Sequence, residues 1–517
     1  MTTPAADVPH GPAAGSERFQ DRAGDTVAAV TNALKLGGSL IATLAIAVAV
    51  KFLMPRYLGP THFGTLSFAD GFAGTFFLAL NLGAESYIRK EISIRPAHAS
   101  DFLGGTLVLR AAMSVGIFGI MALVMNATGR SREVQTLVYV FGAAQFFVSV
   151  NATLSALLHA RGRVGGMSVL AVATKIVWAA GVGASIATGA GLWGFAAAYL
   201  ASESVESFVL FALANRHLGL VFRVDALATK TMIVSSLPYF LNECATSAYG
   251  RLDVILLAIR GNGQEVGWYV AAATVAGLTL LVTPLISWVL MPVFARGAVR
   301  SRQDLFAHVR QASGLILAVA IPVSLFVSVG ADLWLQLFFG HAYAPAALAL
   351  RILAASSVVI YVAIVFALTL IMLEHAWTVT LISVAGLVVN IVLNVLLIRR
   401  SMALFGEGGG GVGCAIAAAG THVFAAVAMM AFVGREAFDS RLIRMVAKSL
   451  AACALVVGVD RLTASLGWAR MVADGVVYLA VVVATGALRV RETWRLVTAA
   501  FLIRQAGARE KRAPSPS

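Results

Sequence analysis

The chain has 517 residues, of which 59% are hydrophobic and only 12% charged, with a formal net charge of +14. Soluble globular proteins carry about 25% charged residues, so a water-soluble enzyme or binding domain is excluded. The positive charge calls for no nucleic acid, because Lys and Arg of membrane proteins collect in cytoplasmic loops that face anionic inner-membrane lipid. Three cysteines, Cys244, Cys414 and Cys453, lie in apolar runs with no CxxC pattern and no His partner. That placement predicts packing roles, with neither a disulfide framework nor a metal site.

Residues 1–30 are rich in Ala, Pro, Gly and acid with no apolar core, and read as a disordered cytoplasmic N-terminus, not a secretory signal. Apolar stretches of about 20 residues, the length that crosses the hydrocarbon core as a helix, then recur fourteen times. The first six run Asn32–Leu53, Phe63–Gly83, Phe102–Asn126, Val134–Leu158, Gly165–Ala187 and Leu192–Leu213. The next six run Ile233–Ile259, Val266–Phe294, Ala312–Phe339, Ala346–Leu373, Trp377–Ile398 and Val412–Val433. A short thirteenth, Met445–Val459, and a fourteenth, Met471–Leu488, precede a polar tail. No polar stretch between spans is long enough for a catalytic domain. The chain therefore divides into an N-lobe over 31–215, a C-lobe over 230–434, two further helices over 445–490 and a cytoplasmic tail over 491–517.

An even number of crossings puts both ends on one side. With that side cytoplasmic, Arg89, Lys90 and Arg95, Arg161 and Arg163, Arg296, Arg300 and Arg302, and Arg435, Arg441 and Arg444 all fall inside. This is the asymmetry of the positive-inside rule. Arg399 and Arg400 fall outside and fit it poorly.

Ionisable groups at membrane depth are costly and belong in a bundle interior or an aqueous cavity. The candidates are Asp70 in the second span, with Glu85 and Arg89 at its end; Arg110 in the third; Lys175 near the middle of the fifth; Glu203 and Glu206 in the sixth; and Glu243, Arg251 and Asp253 in the seventh. Structural ion pairing is the competing role for each of them. Nearly all of this charge precedes residue 254, so it predicts a cavity lined mainly by the first half of the chain and the seventh span. Prolines mark bends: Pro238 opens the seventh span, while Pro284 and Pro292 lie in the eighth, in LVTPLISWVLMPVF.

The chain also carries an internal repeat. RYLGPTHFGTLSFADGF from Arg56 aligns with AIRGNGQEVGWYVAAATVAG from Ala258 when Gly64 is placed on Gly267, so that Phe63 falls on Val266, Leu66 on Tyr269 and Ala69 on Ala272. Six spans separate the copies, which keeps their orientation and predicts a parallel repeat about an axis along the membrane normal. The fold class is then an all-α polytopic membrane protein of about 14 transmembrane helices. Two six-helix lobes are related by a pseudo-two-fold, with two C-terminal helices appended.

The stretch KFLMPRYLGPTHFGTLSFADGF, followed by NLGAESYIRKEI from Asn81, resembles the N-terminal signature of polysaccharide biosynthesis proteins. These are the O-antigen and exopolysaccharide flippases of the multidrug/oligosaccharidyl-lipid/polysaccharide exporter superfamily. The matching residues are Arg56–Gly59, Phe63–Gly64, Leu82–Gly83 and Arg89–Glu91. The resemblance implies a flippase, not an enzyme, that moves undecaprenyl-diphosphate-linked sugar repeat units to the periplasmic leaflet of the inner membrane through a cationic cavity opening alternately to either side. It implies a lipid-linked oligosaccharide substrate, a polysaccharide polymerase and export machinery as partners, no cofactor, and a proton or Na+ as coupling ion. On that reading Lys175 and Arg110, with Arg89 and Arg251, meet the diphosphate or an acidic sugar; Asp70 and Glu243, with Glu203 and Asp253, are the cavity acids open to coupling; and Pro284 and Pro292 are hinges. A peptidoglycan-precursor flippase and a multidrug or small-metabolite antiporter of the same superfamily remain the alternatives.

Overall fold

A computed structural model describes residues 13–80, 99–160, 164–218, 223–281, 283–437 and 439–485, and all of its long elements are helices. The first, α1, runs Ala13–Phe77. It is two helices in sequence, because Gly59 inside it adopts φ 71° and ψ 169°, a conformation open to Gly and closed to most L-residues. The predicted boundary between the first two spans falls at this break. Residues 13–30, expected to be disordered, are part of α1; the segment holds five Ala and two Arg, both good helix formers.

Four helices follow: α2 (Ala99–Ala127), α3 (Arg132–Ala160), α4 (Val164–Thr188) and α5 (Gly191–Leu218). They correspond to predicted spans three to six. Helix α6 (Ala226–Arg260) starts earlier than the predicted seventh span, so Pro238 lies inside it instead of opening it. The predicted eighth span is not one helix. It is α7 (Gly263–Leu278) and α8 (Thr283–Arg300), separated by a turn that places Pro284 at the second residue of α8 and Pro292 within it. A proline lacks the N–H that a helix interior needs but is tolerated in a first turn, which accounts for a restart just before Pro284. The predicted ninth span also divides, into α9 (Arg302–Val329) and the short α10 (Ala331–Phe339). Next come α11 (Ala347–Met372), α12 (Ala376–Phe405), α13 (Gly409–Val433), α14 (Ser440–Leu462) and α15 (Ala469–Ala484). Helix α14 is 23 residues long, so the short thirteenth predicted span has full crossing length.

Among the described residues ten segments are long and apolar enough to cross a membrane, where the sequence predicts fourteen. The difference has physical causes. The first two predicted spans form one segment, Ala42–Leu80. Helix α6 carries Lys230, Glu243, Arg251, Asp253 and Arg260. The eighth predicted span is broken, and α15 has only 16 residues. The chain is an all-α polytopic membrane protein.

The chain forms two compact units. Unit 1 comprises Met1–Met54 and Phe76–Leu237, and unit 2 comprises Pro55–Thr75 and Pro238–Ser517. The core of unit 1 is built from Leu154, Leu157, Leu170, Leu210 and Met232, on α3 to α6. In unit 2, Phe294, Phe306, Val309, Phe366, Ile382 and Met429 join α8, α9, α11, α12 and α13. Helix starts in unit 2 are fixed by side-chain caps: Asn262 accepts from the Glu265 N–H at 2.9 Å, Ser301 from Asp304 at 3.0 Å, and Asp439 from Leu442 at 2.7 Å.

The second half of α1, assigned from sequence to the N-lobe, packs in unit 2, and glycines explain why. A Cβ at Gly64 would collide with the carbonyl of Gly263, and one at Gly267 with the carbonyl of Pro60. Pro60 and Gly64, and Gly263 and Gly267, are pairs four residues apart, each on one helix face. Small residues at that spacing let membrane helices meet backbone to backbone. The two aligned glycines of the sequence repeat thus lie in the same helix–helix contact. Gly64→Val should lower stability by about 3 kcal/mol through overpacking, read as thermal unfolding in detergent. Gly116→Ala, in a helical position with nothing within 4 Å of the added Cβ, should instead raise stability by up to about 1 kcal/mol.

Candidate functional site

Helix α5 presents Tyr199, Glu203 and Glu206 at i, i+4 and i+7, a single stripe. It faces Asn151 and Ser155 of α3 and Thr174 and Lys175 of α4, and together with Thr43 of α1 these line a cavity of about 430 Å³ within unit 1. Glu203 is buried, with its side chain 8% exposed, and Lys175 keeps 27%. Lys175 Nζ lies 3.6 Å from Glu203 Oε1. Asn151 Nδ2 donates to Glu203 Oε2 at 3.1 Å and to the Glu203 carbonyl at 3.2 Å, and Ser207 Oγ donates to Asn151 Oδ1 at 2.5 Å. The Lys175 ammonium also sits 5.8 Å from the centroid of the Trp178 ring, which packs edge-on against Tyr199. Glu203 is therefore paired and hydrogen-bonded, as a buried charge must be. Half-buried Glu206, bonded to Thr174, adds a second carboxyl. Among the described residues, two carboxyl groups and one ammonium line this cavity.

Arg110 does not line this cavity. It is fully buried, and its Nη1 donates to the Ser149 carbonyl and the Thr153 hydroxyl, tying α2 to α3. Its depth in an apolar helix, which suggested a ligand contact, is satisfied by a neighbouring helix.

Unit 2 holds the other polar groups. Asp253 is 1% exposed. Its Oδ2 accepts from the Tyr269 hydroxyl at 2.7 Å and its Oδ1 from Asn394 Nδ2 at 2.6 Å. Asn394 Nδ2 also donates to the Asn390 carbonyl at 2.9 Å. The Arg251 guanidinium occupies the space where a Cβ of Gly74 would stand. Asp70, half-buried, lies one turn before Gly74 on the same helix face, so Arg251 and Asp70 are brought to the same side of the second half of α1. Glu243 is exposed, accepting from Ser247 Oγ at 3.2 Å, and joins none of these groups. Arg89 lies outside the described residues, and Pro284 and Pro292 lie in α8.

Sequence reading missed Asn151, Ser207, Asn390, Asn394 and Tyr269. The signal that could have found two of them is Asn390 and Asn394, four apart in an otherwise apolar helix. It also missed a cluster around Arg470. Arg470 Nη2 contacts both oxygens of Asp332, at 2.5 and 2.6 Å, its Nε lies 3.3 Å from Asp460, and Arg351 lies 3.5 Å from Asp332. This cluster ties α10, α11, α14 and α15 together. Beside it runs an apolar groove of about 800 Å³, lined by residues such as Leu317 of α9, Val358 of α11, Val427 of α13 and Val446, Ala447 and Leu450 of α14.

The polysaccharide biosynthesis protein family matches residues 29–298, over half of the chain. The chain belongs to this family. It is a membrane transporter of the multidrug/oligosaccharidyl-lipid/polysaccharide exporter superfamily, not an enzyme. The fold is similar to that of the lipid II flippase MurJ in its inward closed conformation, with a TM-score of 0.69 at 13% identity over 90% of this chain and 100% of that one. It is similar also to an inward-facing multidrug resistance MATE family transporter, with a TM-score of 0.58 at 17% identity over 76% of this chain and 93% of the other. A point mutant of the Vibrio cholerae MATE transporter VcmN gives 0.53 at 14% identity, over 79% of this chain and 100% of that chain. No curated protein matches the chain.

Removing one member of a buried ion pair strands the other charge, at a cost of about 3–5 kcal/mol when the pair is fully buried. Lys175 is partly exposed, so Lys175→Met should lower stability by about 2 kcal/mol. Glu203→Met in the same chain should restore most of that loss, because it removes the stranded carboxylate. Unfolding of the two single variants and the double variant in detergent measures the cycle.

Proposed function

We propose that the protein flips undecaprenyl-diphosphate-linked oligosaccharide repeat units from the cytoplasmic to the periplasmic leaflet of the inner membrane, for exopolysaccharide or O-antigen export. The observation that carries this reading is the apolar groove of about 800 Å³ in unit 2 of a polysaccharide-family transporter. Its volume is that of a site enclosing a sizeable apolar ligand, about 300–1,000 Å³. Its lining is almost wholly apolar, with the Ser324, Ser328 and Tyr361 hydroxyls turned to backbone carbonyls, and suits a prenyl chain better than a sugar or a diphosphate. Likeness in fold to a lipid II flippase supports the same class of substrate, and a peptidoglycan precursor is its nearest competitor. A multidrug or small-metabolite antiporter is the more distant alternative.

The fourteen-crossing, two-lobe arrangement with both termini cytoplasmic goes with this reading. Transport proceeds by alternating access, with the break before Pro284 and the proline at 292 in α8 as its bending points. Arg251 and Arg89 are the cations that meet the diphosphate. Lys175 is engaged by Glu203, which shifts the unit 1 cavity from headgroup binding toward ion coupling. Asp70, Asp253 and Glu243 stand as further acids for a proton or Na+. A polysaccharide polymerase and export machinery receive the flipped unit.

Deleting the gene should leave undecaprenyl-diphosphate oligosaccharide accumulated in the cytoplasmic leaflet. Accumulation of a peptidoglycan precursor alone, or of neither lipid, would count against the reading. Ala447→Trp, which fills the groove from an exposed position, should cut polymer export at least about tenfold at unchanged membrane insertion, since a bulky ring displaces the chain the pocket would hold. Full export by this variant would remove the groove from the mechanism.

A further inference from the structure

Helix α15 runs back along α14 and is fastened to it at both ends. At one end Lys448 Nζ donates to the Thr485 carbonyl at 2.5 Å. At the other, Arg470 and Asp474, four residues apart on one face of α15, turn toward Asp460 of α14. Between the two ends Ala452 and Val456 of α14 pack with Tyr478 and Val482 of α15 and with Val329 of α9.

The charges at the Asp460 end do not balance. Arg470 bridges Asp332 and Asp460, and Arg351 pairs with Asp332. Asp474 adds a third carboxyl to these two guanidinium groups. It is 4% exposed, and neither of its carboxyl oxygens has a hydrogen-bond donor. Its carboxyl lies within hydrogen-bond reach of Asp460. Asp460 Oδ1 has no aligned donor either, although Arg470 Nε stands 3.3 Å away. Ionised carboxylates only accept, so two of them buried side by side repel and leave their lone pairs unmet. The surrounding elements offer no relief. Asp332 is the titratable group of α10, and Arg351 is what α11 brings to the cluster. Residues 325–329 of α9 and 463–467 between α14 and α15 hold no ionisable side chain. Arg461 is exposed, and Tyr478 is bonded to Ser449.

We propose that Asp460 and Asp474 share one proton, and that this proton latches α15 to α14. One carboxylate and one proton give one neutral carboxyl, which donates to the carboxylate beside it. The cluster passes from one negative charge in excess to none, and no other bond changes. A metal ion is a poor substitute, because it would stand beside the Arg470 guanidinium, where like charges repel. Nor could any group of three or more His, Cys, Asp or Glu side chains among the described residues hold one. A water would give Asp474 a donor but leave the two carboxylate charges adjacent. Loss of the proton sets two like charges against each other across the helix pair, while Lys448 still holds the far end. The latch also positions one end of the apolar groove. Val457, three residues before Asp460, lines the groove, as does Ser328, whose hydroxyl donates to the Arg351 carbonyl at 3.1 Å.

The test uses the purified full-length protein without substrate, so it does not depend on which lipid is flipped. At neutral pH its infrared spectrum should contain a protonated-carboxyl band that Asp474→Asn removes and that Asp460→Asn removes as well, because a shared proton belongs to the pair. Persistence of the band in either variant, or its absence from the wild type, would overturn the proposal; a bridging water or metal ion gives the latter result. The folded protein holds a proton that the unfolded chain releases, so the contribution of the latch is present at low pH and is lost as pH rises. Hydrogen exchange over residues 469–484, corrected for its intrinsic pH dependence, should therefore rise at least about tenfold at alkaline pH in the wild type. Asp474→Asn should show no such rise, since its amide donates to Asp460 at any pH. Equal pH dependence in the two proteins would overturn the latch. Failure of Asp474→Asn to fold would overturn it too, because the amide has the shape of the protonated acid.

Discussion

A charge in the hydrocarbon interior has no water to fall back on, and that constraint shapes both units. Every deep ionisable group of this chain whose partners are visible meets a specific one. Arg110 takes a carbonyl and a hydroxyl from α3, Lys175 takes Glu203, and Asp253 takes Tyr269 and Asn394. These partners come from a different helix, or from a different turn of the bundle, than the charge they serve. The polar groups therefore dictate which helix faces meet. In a bilayer, where apolar faces have no preference for one another over lipid, such contacts carry a large part of the specificity of assembly.

Close packing supplies the rest. The contact of Pro60 and Gly64 with Gly263 and Gly267 brings two backbones together where any side chain would hold them apart. It draws the second half of α1 into unit 2 although the chain enters from unit 1. Glu265 reinforces the same region. Its carboxylate accepts from the N–H groups of Gly408 at 2.9 Å and Gly410 at 3.0 Å. A carboxylate at a helix N-terminus satisfies orphan donors and meets the positive end of the dipole. The start of α13 is thereby fixed to the start of α7.

Hydropathy made the helices legible, since the length of an apolar run and its crossing of the bilayer are the same constraint. Their interruptions were less so. The split of the eighth predicted span follows from Pro284 acting as a helix start, which within an apolar run only the preceding Thr283 advertises. Lys175 with Glu203 could be named individually, because each is a charge in an apolar run, but their pairing depends on how α4 packs against α5. Arg110 has the same ambiguity: depth in a helix identifies a costly charge without identifying what relieves it. Asn151, Asn390 and Asn394 carry no charge and so raised no signal, yet they complete the networks around Glu203 and Asp253.

The groove in unit 2 is a consequence of how α14 is held. At one end Arg302 Nε lies 3.1 Å from Glu436 Oε2, and Arg310 donates to the Glu436 carbonyl at 2.6 Å, just before α14 begins. At the other end Arg470 binds Asp332 with Asp460, the latter near the last turn of α14. Charge-assisted contacts of this kind are directional and short, so they anchor the ends of the helix without pulling its middle onto its neighbours. The middle presents Val446, Leu450 and Val457 to an unfilled apolar space. Empty apolar volume inside a bundle loses dispersion contacts on every lining atom. A chain-like apolar ligand restores them, and a groove pinned at its ends and open along its length is the shape that accepts one.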